Sequence, residues 1–271
     1  MPRSEPRILI VDDETDTGAN LSDILSDFGY TVDVARDGAT ALELLDHRSY
    51  DVALLDLKMP GMTGIELYRH IRSRHPSTVA LIITAYASPE AASEALAAGA
   101  WQVLSKPVDM SSLLGTIDRA LEQPVILVVD DDEEFCASLW DVLREQGYRV
   151  ALAHDVADAR RYVADDGFDV ALIDLKLPDA DGVQAVQLIR ESAPDAESLL
   201  VTAYRDELAE RVYSALVAGA RAVYYKPFDP QLLVRHLHEL TARQLSAIHD
   251  RRMPDSPQLF SSCRPAFPLA Y

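Results

Sequence analysis

The chain spells almost the same nine residues twice. Residues 52–60 read VALLDLKMP and residues 170–178 read VALIDLKLP, each an apolar run that ends on an acid. A carboxylate in that position is costly unless something pairs with it or uses it, so its recurrence constrains both fold and chemistry. Further matches keep the same interval. ILIVDDETD (8–16) returns as ILVVDDDEE (126–134), and LIITAY (81–86) returns as LLVTAY (199–204), each 118 residues on. AAGAWQVLSKPVD (97–109) returns as VAGARAVYYKPFD (217–229) at an interval of 120, so the second copy carries two extra residues between Tyr204 and Gly219. A unit this long is a domain, not a solenoid repeat. The chain of 271 residues therefore reads as a duplication, with domains at 5–122 and 124–245 and an irregular tail at 246–271.

Within the first copy, short apolar runs at 7–11, 31–35, 51–55, 79–83 and 101–105 alternate with helical patterns near 15–28, 37–47, 63–74, 88–98 and 109–121. Leu21, Ile24, Leu25 and Phe28 recur at helical spacing and predict one buried stripe. The strand runs are continuously apolar, as in central strands covered on both faces. Strands near 125–129, 148–153, 169–173, 198–201 and 221–225 repeat the order. The fold class expected is α/β, with two flavodoxin-like (βα)5 doubly wound parallel sheets in tandem. Only "EQP" separates the last helix of the first copy from Val125, so the domains are expected to sit close.

In such a sheet, ligands bind beyond the carboxyl ends of the strands, where the strand order reverses. Asp12 and Asp13 end the first strand, Asp56 the third and Thr84 the fourth, and Lys106 follows the fifth. Three clustered carboxylates repel unless a cation neutralises them, and an all-oxygen site with room for water suits Mg²⁺. The lysine and hydroxyl beside them suit a phosphoryl group.

This constellation, present twice and followed each time by Lys-Pro, resembles the receiver domain of two-component response regulators. The resemblance implies that Asp56 and Asp174 are phosphoacceptors. It implies that Asp13 and Asp131 bind the metal directly, with Asp12 and Asp130 as their neighbours. The DDD run at 130–132 is placed by spacing, since Asp13 to Asp56 and Asp131 to Asp174 are both 43 residues. Lys58 and Lys176 would offer a backbone carbonyl to the metal. Thr84 and Thr202 would bond a phosphoryl oxygen, Lys106 and Lys226 would pair with the phosphorylated carboxylate, and Pro107 and Pro227 match a proline often preceded by a cis peptide. The implied role is an Mg²⁺-dependent switch in a phosphorelay, loaded by a histidine kinase or histidine phosphotransfer protein and read by a downstream protein target, with a homodimer as one form. The resemblance further implies that the chain catalyses only its own phosphorylation and dephosphorylation and is not a metabolic enzyme.

Both copies depart from the family by having Val103 and Val223 where an aromatic switch residue usually stands; packing is the plainer reading. Tyr86 and Tyr204, two after each threonine, either screen the site or pack on the surface. Asp179 replaces Gly61 in the second copy. Helix N-capping is a bland role for Asp13 or Asp131, but it leaves Asp56, Asp174 and the lysines unexplained. His236 and His238, two apart on a helix, face different ways and predict no metal site. Tyr213 and Val217, beside Leu208, Val212 and Leu216, either enlarge the core or extend onto the face that receivers use for dimers, with the core favoured.

Other functions remain to be separated. A haloacid-dehalogenase-type phosphatase also uses Asp and Mg²⁺, but it needs a second acid where Lys58 and Lys176 stand. A phosphorylation-independent scaffold with one silent receiver is another reading, and a fragment of a longer regulator or hybrid kinase a third. The formal net charge of −19 argues against nucleic acid. No apolar run approaches the roughly 18–20 residues of a membrane span, and the N-terminus lacks a signal-peptide pattern, so a cytoplasmic location without membrane contact is expected. Cys136 and Cys263 have no metal or disulfide spacing; Cys136 is expected in a packing role.

Overall fold

The computed structural model describes residues 5–85, 87–165, 167–178, 181–203 and 209–252, with the side chains of 164–165 and 243–252 left aside. The first half alternates β1 (Arg7–Val11), α1 (Thr15–Asp27), β2 (Thr31–Ala35), α2 (Gly38–His47), β3 (Val52–Asp56), α3 (Gly64–Arg74), β4 (Val79–Thr84), α4 (Pro89–Ala97), β5 (Gln102–Ser105) and α5 (Met110–Leu121). The second half follows the same order. It runs β6 (Val125–Val129), α6 (Glu133–Glu145), β7 (Arg149–Ala153), α7 (Val156–Asp165), β8 (Val170–Ile173), α8 (Gly182–Ser192), β9 (Glu197–Thr202), α9 (Ala209–Ala218), β10 (Ala222–Tyr225) and α10 (Pro230–Arg252).

Each half closes one five-stranded parallel sheet, ordered β2-β1-β3-β4-β5 and β7-β6-β8-β9-β10. Strand order reverses beside β1 and beside β6, which opens the crevice at the carboxyl ends of β1 and β3 and of β6 and β8. The continuously apolar strands are buried on both faces. In the first sheet Leu9, Val11, Ala53 and Leu55 face one apolar layer and Ile8, Ile10, Val52 and Leu54 the other. Val103 and Val223 pack against these cores, which supports their packing role.

The stripe expected on α1 is narrower than its sequence implied. Leu25 is buried and Leu21 partly so, but Ile24 and Phe28 are exposed. Gly18, whose Cβ would lie 3.1 Å from Val34, completes the inward face instead. Ile24 is one residue, about 100°, off that face, and Phe28 lies past the end of the helix. A second correction falls on α9. Tyr213 is 70% exposed and Val217 64%, so they extend the surface and not the core. Helix α10 continues to Arg252, beyond the boundary expected at 245. Tyr86, Asp179, Tyr204, Leu208 and Cys263 lie outside the described residues.

The halves are in contact, as the short connection led us to expect. The Trp140 indole on α6 is buried and donates to the Pro76 carbonyl at 3.2 Å. The Arg72 guanidinium lies 3.8 Å from the ring centroid and pairs with Asp141 at 2.8 Å. Arg144 donates to the Gly99 carbonyl, and the largely buried Arg149 pairs with Asp51 at 2.8 Å. Gly99 has φ +98°, and a Cβ there would lie 2.8 Å from Trp140, so both its turn and its close approach need glycine. Among the described residues, no helix is long and apolar enough to cross a membrane.

Candidate functional site

The parallel strands deliver the acids to one place. Asp12 follows β1, Asp56 is the last residue of β3, and Asp13 leads into α1. Ligand atoms of Asp12, Asp13 and Asp56 all lie within 4.8 Å of one another, and the same holds for Asp130, Asp131 and Asp174. Local hydrogen bonds aim these carboxylates. Asp12 Oδ1 accepts from the Glu14 N–H at 3.0 Å and Asp130 Oδ1 from the Asp132 N–H at 3.1 Å. Asp56 Oδ1 accepts from the Lys58 N–H at 3.1 Å, and Asp174 Oδ2 from the Lys176 N–H at 3.3 Å. The N-cap positions fall to the next residue along, Glu14 and Asp132, of which Asp132 alone caps its helix with its side chain; Asp13 and Asp131 are exposed and uncommitted to that role.

Thr84 and Thr202 close β4 and β9 and are fully buried. Lys106 and Lys226 reach back across the strand ends, and the Lys-Pro peptides that follow them, 106–107 and 226–227, are both cis. Lys106 Nζ donates to Asp12 Oδ2 at 2.7 Å and to Asp56 Oδ2 at 2.6 Å. Its burial lowers the ammonium pKa, but the bonds to Asp12 and Asp56 outweigh that and leave it above its usual value. Lys226 Nζ donates to Asp130 Oδ2 at 2.5 Å. In the second site, burial raises the carboxyl pKa of Asp130 against the pull of Lys226. Burial and the nearby Asp130 charge likewise raise that of Asp174.

These groups fit a divalent cation. Three carboxylates converge in each site, and in the second the Asp174 Oδ1 atom is buried without a hydrogen-bond partner. A hard cation with oxygen ligands relieves both the mutual repulsion and the unpaired buried oxygen. The roles expected of Lys58 and Lys176 rest on main-chain carbonyls; what the structure places at the sites is their N–H groups on Asp56 and Asp174. Cys136 is buried, its thiol pushed up to about 12 by burial, in keeping with packing. His236 and His238 make separate ring contacts, with Tyr224 and Tyr148.

Two residues of the site escaped the sequence reading. A Cβ on Gly64 would lie 2.2 Å from the Asp56 carbonyl oxygen, and one on Gly182 would lie 2.3 Å from that of Asp174. Each glycine lets a helix start directly against the main chain of Asp56 or Asp174. Their recurrence at the 118-residue interval was the available signal.

Residues 8–118 and 126–238 each match the family model described as the response regulator receiver domain. A response regulator receiver protein of Anaeromyxobacter sp. (strain Fw109-5), Anae109_2439, is 31% identical over 234 residues, covering 86% of this chain and 94% of that one. The transcriptional regulatory protein ZraR of Escherichia coli O157:H7 is 39% identical over 120 residues, covering 44% of this chain but only 27% of that protein. A solved CheY-like receiver domain from Methanospirillum hungatei JF-1 is 29% identical, covering 46% of this chain and 99% of that one, with a TM-score of 0.44. The chain belongs to the response regulator receiver family and carries two such domains in tandem. Receiver domains of two-component response regulators are phosphoacceptor switches that take a phosphoryl group onto an aspartate, bind Mg²⁺ at a cluster of acids and are phosphorylated by histidine kinases.

Proposed function

We propose that Asp56 and Asp174 are the phosphoacceptors of a phosphorelay and that the loaded chain acts through protein contacts. The observation that carries this reading is the twofold convergence of three acids beside a lysine already hydrogen-bonded to two of them in the first site and to one in the second. Asp12, Asp13 and Asp56, and likewise Asp130, Asp131 and Asp174, would hold Mg²⁺, with the carbonyls of Lys58 and Lys176 as further ligands. When bound, the metal supplies positive charge that offsets the charge on the incoming phosphoryl oxygens.

The chain's own residues do the rest. A carboxylate oxygen of Asp56 or Asp174 attacks phosphorus in line, the bond from phosphorus to the donor's nitrogen or oxygen breaks, and the donor leaves with that electron pair. Lys106 or Lys226 pairs with the acyl phosphate formed, and Thr84 or Thr202 donates its hydroxyl to a phosphoryl oxygen. The donor is a histidine kinase or histidine phosphotransfer protein. The exposed Tyr213, Leu216 and Val217 on α9 support output through a protein partner or a second copy of the chain.

Intact-mass measurement after treatment with acetyl phosphate and Mg²⁺ tests this. The wild type is expected to gain up to two phosphoryl groups. Asp56→Asn and Asp174→Asn should each lose one, and the double variant both. No added mass on the wild type with either acetyl phosphate or a phosphorylated histidine phosphotransfer protein would favour the scaffold reading.

A further inference from the structure

The two site lysines have unlike seats. Lys106 touches the acceptor Asp56, whereas Lys226 donates to Asp130 and sits 3.7 Å from the ring centroid of Phe135. Phe135 stands in the first turn of α6, where its N–H is held by the Asp132 carboxylate at 3.0 Å. Its ring meets Phe228 edge to face at 6.3 Å, and Phe228 packs on Tyr224 at 5.6 Å. The Tyr224 hydroxyl is in turn hydrogen-bonded with His236 Nδ1 at 2.8 Å. The positions equivalent to Phe135, Phe228, Tyr224 and His236 in the first half are Thr17, Val108, Leu104 and Thr116, so this aromatic support belongs to the second half. Thr17 has turned away to bond Glu14.

The geometry points to Phe135 as a positioning residue of the second site, whose ring face holds the Lys226 ammonium on the Asp130 side, away from Asp174. An ammonium over a ring face is attracted by the negative π surface. To pair with a phosphorylated Asp174, Lys226 must give up part of that contact. Lys106 has no ring to leave, since Thr17 stands at the equivalent position, and it is already bonded to Asp56 as well as to Asp12. The second receiver therefore loads less readily than the first. This rests on the reading of Asp174 as an acceptor.

The test uses the full chain carrying Asp56→Asn, with Phe135 intact or changed to Leu or Tyr. Leu keeps the apolar bulk without the ring, and Tyr keeps the ring. Without any donor, the NMR signals of the Lys226 ε-methylene, assigned through Lys226→Arg, are expected to be shifted upfield by the ring in the parent and in Phe135→Tyr, and to return in Phe135→Leu. Titration with beryllofluoride and Mg²⁺, and the initial rate with acetyl phosphate, should both improve about two- to fivefold in Phe135→Leu, the size of one partly exposed cation–π contact. Both should be unchanged in Phe135→Tyr. Should Phe135→Leu fail to fold, Phe135→Met makes the same comparison. An unshifted Lys226 signal, or equal binding in Leu and Phe chains, overturns the inference. Beryllofluoride binding that follows the expected order without covalent phosphate would remove Asp174 as an acceptor and leave the positioning role standing. Binding to none of the variants would remove both.

Discussion

The two halves carry the same acids, threonine and lysine at the same strand ends, yet they hold the lysine differently. In the first half Lys106 bridges Asp12 and Asp56. In the second, Lys226 is shared between Asp130 and an aromatic face, and a buried oxygen of Asp174 is left without a partner. The halves also differ at the domain contact, where Trp140 and Arg149 of the second stand at the positions of Ser22 and Thr31 in the first. A duplicated motif thus guarantees which groups meet, while the residues just outside it set how those groups are held.

The domain contact offers the largest expected effect. Trp140→Ala removes a buried aromatic together with the face on which Arg72 stacks. It should cost about 3–5 kcal/mol in urea unfolding of the full chain, whereas Ser22→Ala should stay within about 0.5 kcal/mol. Equal costs would erase the difference between these two equivalent positions.

The glycines packed against Asp56 and Asp174 probe what the halves share. Gly64→Ala and Gly182→Ala force a methyl group against the carbonyls of Asp56 and Asp174 respectively. Each should destabilise its half by about 1–3 kcal/mol and reduce phosphate uptake at its own aspartate only. Unequal costs would show that the common skeleton is less alike than the repeated motif implies.

Acidity separates the halves in a third way. With metal removed by chelator, the folded second half holds Asp130 and Asp174 above the ordinary carboxyl value of 3.8 because they are buried. The folded state then binds protons before the unfolded state does, so stability rises as pH falls from the raised folded pKa toward 3.8. Added Mg²⁺ should flatten that slope. In the first half Lys106 is held above 10.5, so its contribution is complete below that value and is lost as pH rises through the folded pKa. Once the intrinsic pH dependence of amide exchange is divided out, protection of β8 should therefore rise on mild acidification, and that of β3 should fall on the alkaline side as Lys106 loses its proton.

The smallest effect is expected at Arg221, which forks onto Glu197 with two bonds of 2.7 Å but is largely exposed. Arg221→Ala should cost less than about 1 kcal/mol, and less still in high salt. A larger loss would mean that the edge of the second sheet depends on a charge pair for which the first half, with Trp101 and Val79 at the equivalent positions, has no counterpart.

Much of this was legible in the chain. Strand ends fell within a residue or so of the apolar runs, because a central parallel strand must be apolar on both faces. The acids were placed because the first and third runs of each copy end on one. Less legible were features that depend on rotation about a helix axis. Ile24 and Phe28 share the spacing of Leu25 but not its facing, and Tyr213 with Val217 continues a stripe that the second domain leaves uncovered. The tight approach of Gly64 and Gly182 to Asp56 and Asp174 was written in the repeat, but it has meaning only once the helix start and the strand end are placed together.

By itself, the sequence determined the duplication, the alternation of strand and helix, and the identity of the groups gathered at each crevice, since all three follow from local patterning repeated at a fixed interval. Only the tertiary structure decided which side chains neighbour those groups. Phe135 reaches Lys226 across a separation in sequence that no local pattern encodes, and Trp140 reaches Pro76 across two domains. Such contacts are made by the packing of whole elements. The periodicity of any one segment records which face is apolar, and carries no information about what that face will meet.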